Sequence, residues 1–111
     1  MTYNDAVRLM EYQYDKLMSL SGTFGLYDPA IGCTIDYVLD YYYDHGTQQE
    51  MIKTIQCIDD ILLKYIHDDL AMTELCNVLA FNYYWQIDYK SGVEFLTYIR
   101  TYLLEKLETK K

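Results

Sequence analysis

The chain has 111 residues, 51% of them hydrophobic and 23% charged, with one proline and five glycines. That composition predicts one globular domain over 1–111 and excludes a disordered, collagen-like or low-complexity chain. Nine Lys and Arg against 17 Asp and Glu leave a net charge of −8, which argues against direct nucleic-acid binding and against anionic membrane surfaces, since both need cations.

In chain order, Met1–Val7 shows no basic segment followed by an apolar core, so no signal peptide is expected. Residues 3–20 place Val7, Met10, Tyr14 and Leu17 at alternating steps of three and four, which predicts one amphipathic helix capped by Thr2 or Asn4. Residues 21–32 hold three glycines and the proline and read as the one long loop. A second helix is expected over about 34–44, ending at Gly46 as a left-handed terminator. Thr47 and Glu50 form a capping box that opens a third helix to about Ile66. Its apolar face (Met51, Ile55, Ile58, Leu62 and Tyr65, widened by Ile52, Ile61, Leu63 and Ile66) predicts a central position.

His67-Asp68-Asp69 reads as the cap of a fourth helix over roughly 70–87, with deep burial expected for the dense run 75–85. The stretch from Leu75 to Ile87 is uncharged but too short to span a bilayer. Ser91 and Glu94 form a second capping box, starting a last helix with Phe95, Ile99, Tyr102 and Leu103 inward. Lys106, Lys110 and Lys111 fall near its C-terminus, where the helix dipole favours cations. No Asn-Gly hairpin turn appears. The expected fold is an all-α compact bundle of four to five helices with short connections and the longer loop at 21–32.

No phosphate-binding glycine motif, nucleophile elbow, zinc-protease motif or di-iron Glu-x-x-His pair is present. His67 with Asp68 and Asp69 is expected to cap rather than to bind a metal, because consecutive helical residues point in different directions. Neither metal nor cofactor is expected, and no catalysis. Cys33, Cys57 and Cys76 make neither a Cys-x-x-Cys site nor a disulfide framework. They read as small hydrophobes in a reduced, cytoplasmic protein, the host cytoplasm if a phage encodes it.

The surface is more specific. Asp36, Asp40 and Asp44 stand one helical turn apart on the second helix, with Tyr43 on the same face and Tyr37 and Tyr41 flanking it. From Asp28 to Glu74 ten acids face two bases, so the middle of the chain carries the charge. Like charges at i, i+4 cost an isolated helix about 0.2–0.5 kcal/mol per pair, which points to some compensation. Fourteen tyrosines add to the impression of an interface, because tyrosine anchors many binding sites. Tyr14, Tyr42, Tyr65 and Tyr102 read as core by spacing. Asp36, Tyr37, Asp40, Tyr41, Tyr43 and Asp44 are the candidate contacts, with Phe24, Leu26 and Tyr27 of the loop as a second group.

Carboxylates one turn apart are spaced by about 6 Å, close to the interval between phosphates on a nucleic-acid strand. The expectation is therefore a small acidic binding protein that occupies the cationic surface of a basic, nucleic-acid-binding protein. In size and charge it parallels the small acidic inhibitors that phages and mobile elements direct against restriction or CRISPR effectors. Two alternatives share the composition: an immunity protein or antitoxin against a basic toxin, and an adaptor that forms homo-oligomers.

Overall fold

Side-chain caps set most helix starts. The Thr2 hydroxyl accepts from the Asp5 amide at 3.1 Å and the Asp5 carboxylate accepts in return from the Thr2 amide. Thr47 and Glu50 make the same reciprocal pair. Thr34 accepts from the Tyr37 amide, Asp68 from the Ala71 amide and Ser91 from the Glu94 amide. Each satisfies an amide that the first helical turn leaves without a partner.

The structure is a computed structural model that describes residues 1–109; Lys110 and Lys111 lie outside the described residues. It is all-helical, with seven α-helices and no strand among those residues: α1 (Tyr3–Gln13), α2 (Asp15–Phe24), α3 (Ile35–His45), α4 (Gln48–Tyr65), α5 (Asp69–Leu79), α6 (Trp85–Asp88) and α7 (Gly92–Thr109). A 3-10 turn at Pro29–Ile31 lies between α2 and α3. The Cα extents are 37 × 32 × 23 Å.

Two expected helices are each broken in two, so the count is seven instead of four or five. The helix read over 3–20 bends at Tyr14 (φ −130°, ψ 47°), with no Gly or Pro involved. The Tyr14 side chain is buried and its hydroxyl donates to Asp60 of α4 at 2.5 Å. Spacing does not register such a bend, because the apolar stripe stays in phase across it. The helix read over 70–87 stops at Ala80 (φ −113°, ψ 54°). Beyond it, the Asn82 amide reaches the carbonyls of Phe24 and Gly25, and the Trp85 indole donates to Asn77 at 3.0 Å.

Gly46 is also not left-handed. Its backbone is extended (φ −106°, ψ 173°), and the site is tight: a Cβ would come within 2.6 Å of the Met51 methyl, which would have to move, and 3.2 Å of the Tyr42 carbonyl.

α1 lies on α5 and α2, α2 also contacts α3, α4 and α5, and α7 packs between α3, α4 and α5. The core includes Met10, Leu17, Leu20, Phe24, Leu39, Met51, Ile58, Ile61, Leu75, Leu79, Phe95, Ile99 and Leu103. As expected α4 is central, packed on α2, α5 and α7, but its buried face is narrower than the spacing suggests: Ile52 and Leu63 are exposed, as is Ile66 just past its end. Phe81 and Tyr84 of the dense run are exposed as well. No helix among the described residues is long and apolar enough to cross a membrane.

Candidate functional site

The three aspartates of α3 do not form one straight ridge. Each i, i+4 step drifts by about 40° around a helix axis, so Asp44 sits about 80° from Asp36. Residues 36, 40 and 43 fall in one stripe and residues 37, 41 and 44 in another, about 100° away.

The first stripe faces α7. The Tyr98 hydroxyl donates to Asp36, and the Tyr102 hydroxyl donates to Asp40 at 2.6 Å. The Lys106 ammonium reaches Asp40 at 2.8 Å and lies over the rings of Tyr43 and Tyr102. Tyr43 is buried and its hydroxyl donates to the Lys106 carbonyl at 3.4 Å. The first two pairings share an offset of 62 residues and the third has 63, so α3 and α7 run parallel. Asp36, Asp40 and Tyr43 therefore build a seam within the molecule, which narrows the docking face expected from their spacing.

The same device recurs elsewhere: Tyr14 donates to Asp60 and Tyr83 to Asp88, both at 2.5 Å. Four of the fourteen tyrosines are thereby engaged in internal staples to aspartate. A neutral phenol is a suitable partner for a half-buried carboxylate, because it donates to the charge without a second ion having to be desolvated. The staples shift both partners. Burial first, then the carboxylate acceptor, pushes the phenols of Tyr14, Tyr83, Tyr98 and Tyr102 well above the ordinary tyrosine range. Burial alone would raise Asp40, but the bonds from Lys106 and Tyr102 outweigh it and hold the carboxyl below its usual value. The bonds from Tyr14 and Lys64 do the same for Asp60.

The second stripe faces outward. Tyr37 is 54% exposed, Tyr41 is 37% exposed and Asp44 is exposed. The Tyr41 ring stacks on His45 at 3.9 Å between centroids, and the His45 Nδ1–H donates to the Tyr41 carbonyl at 2.9 Å. These contacts hold Tyr41 against the last turn of α3 while its outer face stays open.

Beside this stripe runs a strap, residues 25–34. Leu26, Ile31, Gly32, Cys33 and Thr34 of the strap line a cleft of about 580 Å³ together with Tyr37. The loop expected over 21–32 begins only at Gly25, because α2 continues through Phe24, and its expected contacts separate. Phe24 is fully buried, stacked on Tyr83 and edge-on to Phe95, so it closes the core and leaves the candidate set. Tyr27 is half-buried with its ring edge-on to Tyr83 at 5.0 Å. Leu26 and Ile31 are the exposed members. Ile31 carried no sequence signal beyond its place in a loop.

Among the described residues no group of three or more His, Cys, Asp or Glu is placed to hold a metal ion. All three cysteines are free; Cys76 is buried, while Cys33 and Cys57 are half-buried. Comparison with protein-family models, with curated proteins and with solved structures finds no match to this chain.

Proposed function

We propose that this chain is a non-enzymatic binding protein whose α3 outer face docks on the cationic surface of a basic, nucleic-acid-binding protein and blocks it. The observation that carries the reading is the outward stripe of Tyr37, Tyr41 and Asp44, set beside the half-exposed carboxylate of Asp40 on a chain of net charge −8. Aromatic side chains with open faces stack on guanidinium groups and supply contact area at little entropic cost. The surrounding negative charge speeds encounter with a cationic partner. Neutralisation of a basic toxin would use the same face in the same way.

Asp36 and Asp40 are poor probes of this reading, because replacing them also opens the α3–α7 seam. A cleaner variant is Tyr37→Ala/Tyr41→Ala/Asp44→Lys, which alters the outward stripe, including the cleft wall that Tyr37 provides, and leaves the α3–α7 seam intact. Wild type and variant, immobilised side by side, are exposed to native-host lysate and the captured proteins identified by mass spectrometry. The expected result is a basic nucleic-acid-binding protein held by wild type, lost from the variant, and prevented from binding DNA while held. Equal capture by both, or a captured protein that still binds DNA, contradicts the proposal.

A further inference from the structure

The strap carries apolar surface on more than the α3 side. Tyr27 and Pro29 line a second cleft, of about 270 Å³, with Asn82, Tyr83, Tyr84, Ile87 and Asp88. Asn82 ties this region to the strap through the Phe24 and Gly25 carbonyls, and the Phe81 ring lies close enough to Gly25 to meet a Cβ there at 3.7 Å. One end of the molecule thus exposes Ile31 (78%), Tyr84 (77%) and Ile87 (81%) together with Leu26, Tyr37 and Phe81. Single exposed hydrophobes are ordinary, but five lining two clefts that share a strap, with Phe81 beside them, mark an interaction surface.

The charge around this end selects its occupant. Asp28 caps the 3-10 turn of the strap itself. Asp88 lines the second cleft itself, where it accepts from the Tyr83 hydroxyl at 2.5 Å. Lys90 is the neighbouring cation in the chain. A second copy would bring a like-charged rim and another net charge of −8 against this one, and an anionic bilayer would be repelled in the same way.

We infer that the two clefts flanking the 25–34 strap seat the apolar side chains of a cationic amphipathic segment of another protein, with its basic residues falling on the acidic rim. The inference rests on the reading that the partner is basic and adds where that partner's hydrophobic side chains go. Apolar burial supplies the affinity, and the rim chooses the sign of the partner.

The test uses the full chain and three labelled synthetic helices about five turns long, followed by fluorescence anisotropy. One is built of leucine and lysine, one of serine and lysine, and one of leucine and glutamate. The leucine–lysine helix is expected to bind, and the other two at least about tenfold more weakly. Ile31→Asp/Ile87→Asp alters two side chains that are almost wholly exposed, so melting should be unchanged while leucine–lysine binding falls at least about tenfold; Asp44→Lys should leave that binding within about twofold.

If both lysine helices bind alike and Asp44→Lys alone weakens them, the clefts are not the seat, although the basic-partner reading stands. If the glutamate helix binds as well as the lysine one, both the inference and the basic-partner reading fail. Binding of none of the three overturns the inference. So does a concentration-dependent dimer in sedimentation that Ile31→Asp/Ile87→Asp abolishes, because the occupant is then a second copy.

Discussion

Replacing Tyr98 and Tyr102 with phenylalanine removes two hydroxyls from the α3–α7 seam and leaves every ring in place. A hydrogen bond to a charged group contributes about 1.5–3 kcal/mol to stability when it is well shielded. The Asp40 side chain is 44% exposed, so water takes over part of the lost bond, and the cost falls to about 1 kcal/mol per hydroxyl. For a domain of this size 1 kcal/mol corresponds to about 4 °C in Tm. Tyr98→Phe/Tyr102→Phe should therefore melt about 8 °C below wild type by circular dichroism at neutral pH. Because the donors are neutral, most of that difference should persist in high salt, where exposed ion pairs are screened. Tyr84→Phe, on a ring 77% exposed, is the control and should melt with wild type. A double variant that also melts with wild type would show that water serves these carboxylates as well as the phenols do, and would refute the seam as a source of stability.

The same staples set the pH limits. The raised phenols of Tyr14, Tyr83, Tyr98 and Tyr102 contribute stability that is intact below about pH 10 and is lost as pH climbs further. Their ionisation, read as phenolate absorbance, should accompany loss of helical ellipticity; complete phenolate absorbance near pH 10 with ellipticity intact would contradict this. The depressed carboxyls of Asp40 and Asp60 contribute stability that is present above about pH 4 and disappears below it, so Asp40→Asn should flatten the acid limb of a Tm against pH curve. Gly92→Ala places a methyl 2.7 Å from the Met72 Cγ and 3.0 Å from the Cys76 sulfur, and should cost about 1–3 kcal/mol by overpacking the α5–α7 contact; a raised Tm would refute that. Burial pushes the Cys76 thiol far above its ordinary range, and burial with the nearby Asp15 and Asp60 raises Cys57 as well, so a thiol reagent should modify Cys33 first in the native protein, Cys57 more slowly and Cys76 only at the rate of unfolding, with peptide mass mapping to distinguish them.

The all-helical class was legible because helix signals are local. Thr2, Thr34, Thr47, Asp68 and Ser91 each cap within their own neighbourhood, and the four-residue spacing of Phe95, Ile99 and Leu103 survives any tertiary arrangement. What sequence concealed was non-local. The bend at Tyr14 is accompanied by a bond to Asp60, 46 residues away, and the end of α5 by Asn82 reaching back to α2. The candidate site failed to be legible for a geometric reason: an i, i+4, i+8 row looks like a ridge in one dimension and spirals in three. The compensation for the like charges of α3 was written 62 residues later, in Tyr98 and Tyr102 at the same four-residue spacing as Asp36 and Asp40. A tyrosine pair matching an aspartate pair is therefore a usable signal for parallel helices stapled in register.

Docking through the outer face of α3 is decided by titrating the captured partner, purified, into wild type and into Tyr37→Ala/Tyr41→Ala/Asp44→Lys by calorimetry at low and at high salt. Binding to wild type should be tight and weaken steeply with salt, and the variant should lose at least about 100-fold in affinity. Equal affinity for both proteins, independent of salt, would contradict that docking.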